Sequence, residues 1–187
     1  MSIRTQSQTI EKAKPQPTNE EAEKRLLAIM KGHSDVMFFN HDAEGTLCGR
    51  PMAVAHLDED GTTYFATGIE SEKVADLRMD PEVTLSMQGG REYAIVTGEA
   101  RISQDRALID QLWTDAWKLW FPDGKDDPSI AIIIVQPEQG TYWDNSKTQG
   151  LSFLLRAAKA ALTGKEVERD PGDAATVAMN KKRGARV

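Results

Sequence analysis

VMFFNHDAEGTLCGRPMAVAHLDEDGTTYFAT, residues 36–67, holds three extended runs separated by two turn signals. Val36–Phe39, Leu47–Leu57 and Thr62–Thr67 read as strands, and the acidic, glycine-ended segments Asp42–Gly45 and Asp58–Gly61 read as the turns between them. Connections this short leave no room for the crossover that parallel pairing requires, so the stretch predicts antiparallel hairpins. Alternation along the second strand puts Cys48, Arg50 and Met52 on one face and Gly49 and Pro51 on the other.

Working outward, Thr18–Glu21 has the form of a capping box. The helix it opens carries Ala22, Leu26, Ile29 and Met30 on one face and ends at Lys31-Gly32. On the other side, Ser71–Met79 predicts a short helix stopped by Asp80-Pro81. Val83–Gln88 and Tyr93–Ile102 follow as strands joined through Gly89-Gly90. Asp105–Trp120 predicts an amphipathic helix capped by Ser103 and broken at Phe121–Gly124. Ile130–Val135 and a short Thr141–Trp143 complete the strands. Many short strands with a few small helices describe a mainly β protein, a closed or split barrel. The domain reading is a polar arm at 1–17, a barrel domain at 18–146, and a C-terminal part at 147–187. That last part comprises a helix over 151–163, with Leu151, Leu154, Leu155, Ala158 and Leu162 on one face, and a weakly ordered polar tail.

The chain has 187 residues, 40% of them hydrophobic, and a formal net charge of −6. An acidic chain argues against a nucleic-acid surface, where a basic domain is expected. The basic run Lys181-Lys182-Arg183 reads as part of a solvated tail. No stretch approaches the roughly 18 apolar residues of a membrane span. The N-terminus has no apolar core of a secretory signal. Cys48 is the single cysteine, which excludes an internal disulfide and suits a reducing cytoplasm.

His33, His41 and His56 show no metal-ligand spacing with one another or with Cys48, so no metal site is expected. No nucleophile elbow and no Cys/His arrangement is present. The catalytic residues are therefore not assigned. Anion chemistry is better represented. Taken singly, Arg50 is a strand arginine, Ser71 a helix cap and Lys73 a solvated lysine. Taken together, after a strand ending in Thr67-Gly68, they describe a helix start with a hydroxyl, a lysine in its first turn and a nearby guanidinium. That set suits a phosphate: arginine offers a fork of donors, lysine a point charge, and the helix start free N–H groups. Residues alone do not choose among phosphorylated ligands. Trp113, Trp117 and Trp120 follow helical spacing and read as a buried face, while Trp120-Phe121-Pro122 leaves the helix and suits a flat ring or a partner surface.

Arg50-Pro51-Met52, Tyr64-Phe65-x-Thr67, Ser71-x-Lys73-x-x-x-Leu77 and Asp80-Pro81-x-Val83, in that order, resemble the FMN-binding split-barrel superfamily. Leu112-Trp113, Trp120-Phe121-Pro122-Asp123-Gly124 and Tyr142-Trp143 narrow the resemblance to the general stress protein 26 group, relatives of pyridoxamine 5′-phosphate oxidase. The resemblance covers roughly residues 18–146. It implies a six-stranded antiparallel split barrel that forms a homodimer, with FMN (FAD being the other flavin considered) in a cleft between subunits. It implies that Arg50, Ser71 and Lys73 hold the phosphate, and that Pro51, Met52, Ala53 and Val54 run along the flavin ring. Thr67 and Gln88 would lie close to the ring, and Trp113, Trp120 and Phe121 would line the cleft, from the other subunit. The chain departs from pyridoxamine phosphate oxidase after residue 149, where Gly150-Leu151-Ser152-Phe153 replaces an arginine-rich end, so that activity is not expected. Three functions remain in view: a flavin-dependent oxidoreductase on an unidentified small molecule, a flavin-binding stress or redox-sensing protein without turnover, and a dimeric interaction module without flavin.

Overall fold

Fifteen residues of unbroken strand, Ile130–Asp144, organise the computed structural model, which describes residues 17–146 and 173–179. The elements are α1 (Asn19–Lys31), β1 (Asp35–His41), β2 (Leu47–Ala53), β3 (His56–Leu57), β4 (Thr63–Gly68), α2 (Glu72–Met79), β5 (Glu82–Gly89), β6 (Glu92–Ser103), α3 (Arg106–Leu112), a 3₁₀ turn (Asp115–Leu119), β7 (Ile130–Asp144) and β8 (Ala174–Ala178). One antiparallel sheet runs β2-β1-β5-β6-β7-β4-β3, and β8 pairs with β7. Six long strands form the curled half-barrel expected of a split barrel; β3 and β8 are short additions to it.

β7 reads as two strands in sequence because Pro137 and Gly140 interrupt its apolar run. The structure joins them: Ile130–Val135 pairs with β4, Gln139–Trp143 with β8, and β6 runs along the opposite side of both halves. A bulge between Thr97 and Gly98 absorbs the extra residue on β7 and sharpens the local twist. Gly98 is required there, since a Cβ would lie 2.0 Å from the carbonyl oxygen of Gln136.

Three other expectations change. The second strand ends at Ala53, because Val54 and Ala55 turn their N–H groups to different neighbours: Val54 donates to Ser34 (2.7 Å) and Ala55 to Tyr64 (2.8 Å). The helix expected over 105–120 is α3 followed by a separate 3₁₀ turn. Trp113 and Thr114 are extended between them, and the cap of α3 is Asp105, whose carboxylate accepts from Ala107 N–H, rather than Ser103. The C-terminal tail contributes β8, whose Val177 is fully buried, so it completes the core instead of remaining a solvated end. The helix expected over 151–163 and nearly all of the 1–17 arm lie outside the described residues.

The barrel core gathers Phe38, Phe65, Leu85, Val96, Ile133 and Tyr142, with Phe38 edge-on to Phe65 at 5.5 Å. α1 closes one end through Leu26 and Ile29, and Arg25 pins it by donating from Nε to Asp144 at 2.8 Å. A second apolar cluster lies on the outer face of β4 and β7. There Ile130, Ile132 and Ile134 pack under Ile109, Leu112, Trp117 and Phe121.

Gly98→Ala is expected to destabilise the fold by about 1–3 kcal/mol, the range for overpacking a site that cannot yield. Urea unfolding with an unchanged midpoint would contradict that reading of the bulge.

Candidate functional site

Alternation carries Arg50 to the interior. Its strand partner is Phe38, a core residue, so the guanidinium starts from the inward face of β2 and is only partly exposed. Pro51 is tolerated because β2 is an edge strand, where no ladder donor is needed at that position. The opposite wall is the end of β4. Thr67 is buried there, and α2 begins directly after the Gly68–Ser71 turn.

Ser71 is the N-cap of α2, yet its side chain makes no capping hydrogen bond. Its Oγ instead lies 3.2 Å from Thr67 Oγ1, which also accepts from Lys73 Nζ at 3.0 Å. The first intrahelical acceptor, the Ser71 carbonyl, serves Val74 and Ala75, so the N–H groups of Glu72 and Lys73 precede it at the positive end of the helix. Burial lowers the pKa of Lys73 from its ordinary 10.5, and the nearby charge of Arg50 lowers it further. Among the described residues neither cation is in an ion pair. Arg50 Nη1 donates to the side-chain amide oxygen, Oδ1, of Asn40 instead.

These groups edge a pocket of about 360 Å³ between the two free margins of the sheet. Residues 50–55 form one wall, and Ala66, Thr67, Gly68 and Lys73 form the other. Trp117, Trp120 and Phe121 form a roof. The volume falls within the range of small-molecule sites, about 300–1,000 Å³. One end is cationic and rich in donors; the other is aliphatic and aromatic. The donor set fits a phosphate monoester carrying a flat apolar body.

Of the residues singled out in the sequence, Arg50, Pro51, Met52, Ala53, Val54, Thr67, Lys73, Trp120 and Phe121 line this pocket, Trp120 and Phe121 within the same chain where the resemblance implies the other subunit, and Ser71 adjoins it through Thr67. Gln88 does not reach it: it lies at the far end of β5, exposed, opposite Tyr93. Trp113 packs edge-on to Trp117 at 5.7 Å, under the outer cluster, and Trp117 takes the place in the roof. Asn40 was missed. Its signal was available, since Val36, Phe38 and Asn40 alternate onto one face and a polar residue there sits in a core position. His56 is exposed beside Asp58, which also accepts from Tyr64 at 2.7 Å; burial and then Asp58 push the tyrosine pKa up to about 12. Among the described residues no cluster of His, Cys, Asp or Glu could hold a metal, and no helix is long and apolar enough to cross a membrane.

Fold and pocket define a split-barrel protein with a cationic, partly apolar cleft at its seam. The family model described as "Pyridoxamine 5'-phosphate oxidase like" matches residues 21–168, and the chain belongs to that family. It is 31% identical over 120 residues to general stress protein 26 of Bacillus subtilis, covering 60% of this chain and 73% of that protein. It is 28% identical over 152 residues to protein bli-3 of Neurospora crassa, covering 75% and 72% of the two chains. A crystal structure of a putative general stress protein 26 from Jannaschia sp. CCS1 superposes with a TM-score of 0.63 at 23% identity, over 86% of this chain and 99% of that one. That likeness shows the shared fold.

Two cations held together without a carboxylate oppose folding, so Lys73→Met is expected to raise the melting temperature of the ligand-free protein. Lys73 is a base whose pKa is lowered on folding. The unfavourable charge is fully present while Lys73 is protonated and is relieved as pH rises through the lowered value, below 10.5. The advantage of the variant should therefore shrink at alkaline pH. A variant that melts lower than wild type throughout would show that the bond to Thr67 outweighs the repulsion.

Proposed function

We propose that the seam pocket binds FMN. Its phosphate would lie on Arg50, Ser71, Lys73 and the N–H groups that open α2, and its ring would lie along Met52–Val54 beneath Trp120 and Phe121. The observation that carries this reading is the pair of uncompensated cations at one end of a pocket whose other end is apolar. When bound, FMN supplies one- and two-electron redox chemistry that no side chain has. The chain's own residues bind and orient it: the cations neutralise the phosphate, the strand supplies backbone polar groups along the ring edge, and the aromatic roof keeps water from one face. The relatives' names connect the family to stress responses, which supports a flavin-binding protein of the general stress type, an oxidoreductase on a small molecule. Among the described residues the pocket lining contains no carboxylate, histidine or cysteine. That observation favours a second reading, a flavin-binding stress or redox-sensing protein without turnover. Multiple turnovers of photoreduced protein with an added electron acceptor would decide for the enzyme.

A homodimer accompanies this reading. Met37 and Ile95 are 39% and 40% exposed on the outer face of the sheet, and Tyr93 and Trp143 pair beside them. Met37 also pairs with Pro51, so the apolar face continues to the wall of the pocket itself. Exposed apolar side chains gathered on one face, with Ser86 between Met37 and Ile95, suit an association surface. A second copy seated there would close the open side of the pocket and cover Gln88, which lies on the same face.

Purified protein should take up FMN with quenching of flavin fluorescence. Riboflavin, which lacks the phosphate, should bind far more weakly. Arg50→Ala and Lys73→Ala should each weaken FMN binding by about 1.5–3 kcal/mol, the range for hydrogen bonds to charged groups. Equal affinity for FMN and riboflavin would sink the assigned phosphate grip.

Ile95→Glu should convert a dimer into a monomer in light scattering and weaken FMN binding without lowering the melting temperature of the monomer. A wild-type monomer at micromolar concentration would remove the shared cleft.

A further inference from the structure

Asn40 occupies a place where the alternation of β1 calls for an apolar side chain, and it is 1% exposed. A buried amide needs partners at both ends. Nδ2 donates to the His41 carbonyl at 2.9 Å and to a carboxylate oxygen of Asp76 at 3.1 Å. Oδ1 accepts from Nη1 of Arg50. These neighbours settle the orientation of the amide, since a flipped group would turn its NH₂ toward a guanidinium and its oxygen toward a carboxylate.

The order of the groups matters. A carboxylate placed directly on Arg50 would hold the guanidinium at least as firmly, often through two parallel bonds, and would also cancel its charge. Here the carboxylate stands one side chain behind, on α2, and a neutral amide makes the contact. The amide transmits position without neutralising the cation. The guanidinium has five N–H donors, and the Asn40 bond uses one on Nη1, leaving most of the fork for a ligand. The same link ties β1 to α2, the helix that carries Lys73, so both cations are referred to one framework.

We propose that Asn40, backed by Asp76, is a positioning residue that aims Arg50 at the ligand phosphate while keeping a carboxylate off it. This rests on the phosphate reading of the seam pocket given above.

The test exchanges the two groups. Asn40→Asp with Asp76→Asn keeps composition and net charge and can still join β1 to α2, but it sets the carboxylate on Arg50. The swap gives up the Asn40 bond to the His41 carbonyl, so the swapped protein is expected to melt somewhat lower than wild type and, still folded, to bind FMN roughly ten- to a hundredfold more weakly. If Asn40 were merely structural, the swap would bind FMN as wild type does, and that result would overturn the proposal. A second measurement needs no swapped protein. At reduced temperature the Arg50 Nη–H resonances of ligand-free wild type should be resolved in ¹⁵N NMR spectra, and those of Asn40→Ala should be averaged. Averaged signals already in wild type would show that Asn40 does not hold the guanidinium. Wild-type protein that binds no FMN, with resolved Arg50 signals lost in Asn40→Ala, would refute the cofactor and uphold the positioning role.

Discussion

The divided pairing of β7 is the constraint from which the site follows. One side of this strand runs along β6; the other is shared, with β4 taking the first half and β8 the second. A strand this long, twisted and bulged at Glu138 opposite Thr97 and Gly98 of β6, curls the sheet until its margins approach each other. At Ala55 they meet, through a hydrogen bond to Tyr64. Alongside Arg50–Val54 and Ala66–Gly68 they remain apart, and the pocket is the gap. The cleft is thus the unclosed part of a barrel, bounded by edge strands whose backbone groups are not all committed to the ladder.

Electrostatics separates this gap from the sites of Arg25 and Lys125. Arg25 is also partly buried, but Asp144 and Glu92 surround it and hold its pKa up. Lys125 is paired with Asp110. Lys73 has the opposite environment: burial and Arg50 both push its pKa down. An acidic chain could readily have placed a carboxylate there. The nearest one in the network, Asp76, is held behind Asn40. A site that keeps two cations together without a counter-charge is arranged to receive one.

The hairpins and most strands were legible because their turns carry strong local signals. Asp42, for example, accepts from the N–H groups of Glu44 and Thr46 through its carboxylate, as Asp-led turns do. The inward placement of Arg50 and Met52 followed from period two alone. What failed was governed by distant partners. β7 runs through Pro137 because β6 pairs with it across the bulge, and through Gly140 because β6 and β8 hold it on both sides, which no local window shows. β8 is five residues of small and β-branched side chains whose strand state comes from that pairing. The break at Trp113–Thr114 separates α3 from the 3₁₀ turn and leaves Trp113 edge-on to Trp117 at the outer cluster, a long-range packing outcome that helical spacing alone does not show. Within one chain it is Trp117 that reaches the pocket, and the partners of Asn40 lie on β2 and α2, beyond what the alternation of β1 shows.

Local rules are broken at this pocket more than elsewhere, and in one direction. Thr18 and Asp105 cap their helices with side-chain hydrogen bonds, whereas Ser71, an equally good cap, turns to Thr67 and Lys73. Asn40 places an amide in a core position, and Pro51 sits in a strand. Lys73 is held against a like charge. Each departure weakens the fold taken alone, and each is repaired within the same small network of β1, β2, β4 and α2. Natural sequences tend to keep local preference and global fold in agreement and to depart from it where a site must be built. Four departures converging on one cationic gap therefore support the proposal of an anionic ligand at this seam more than any single residue does.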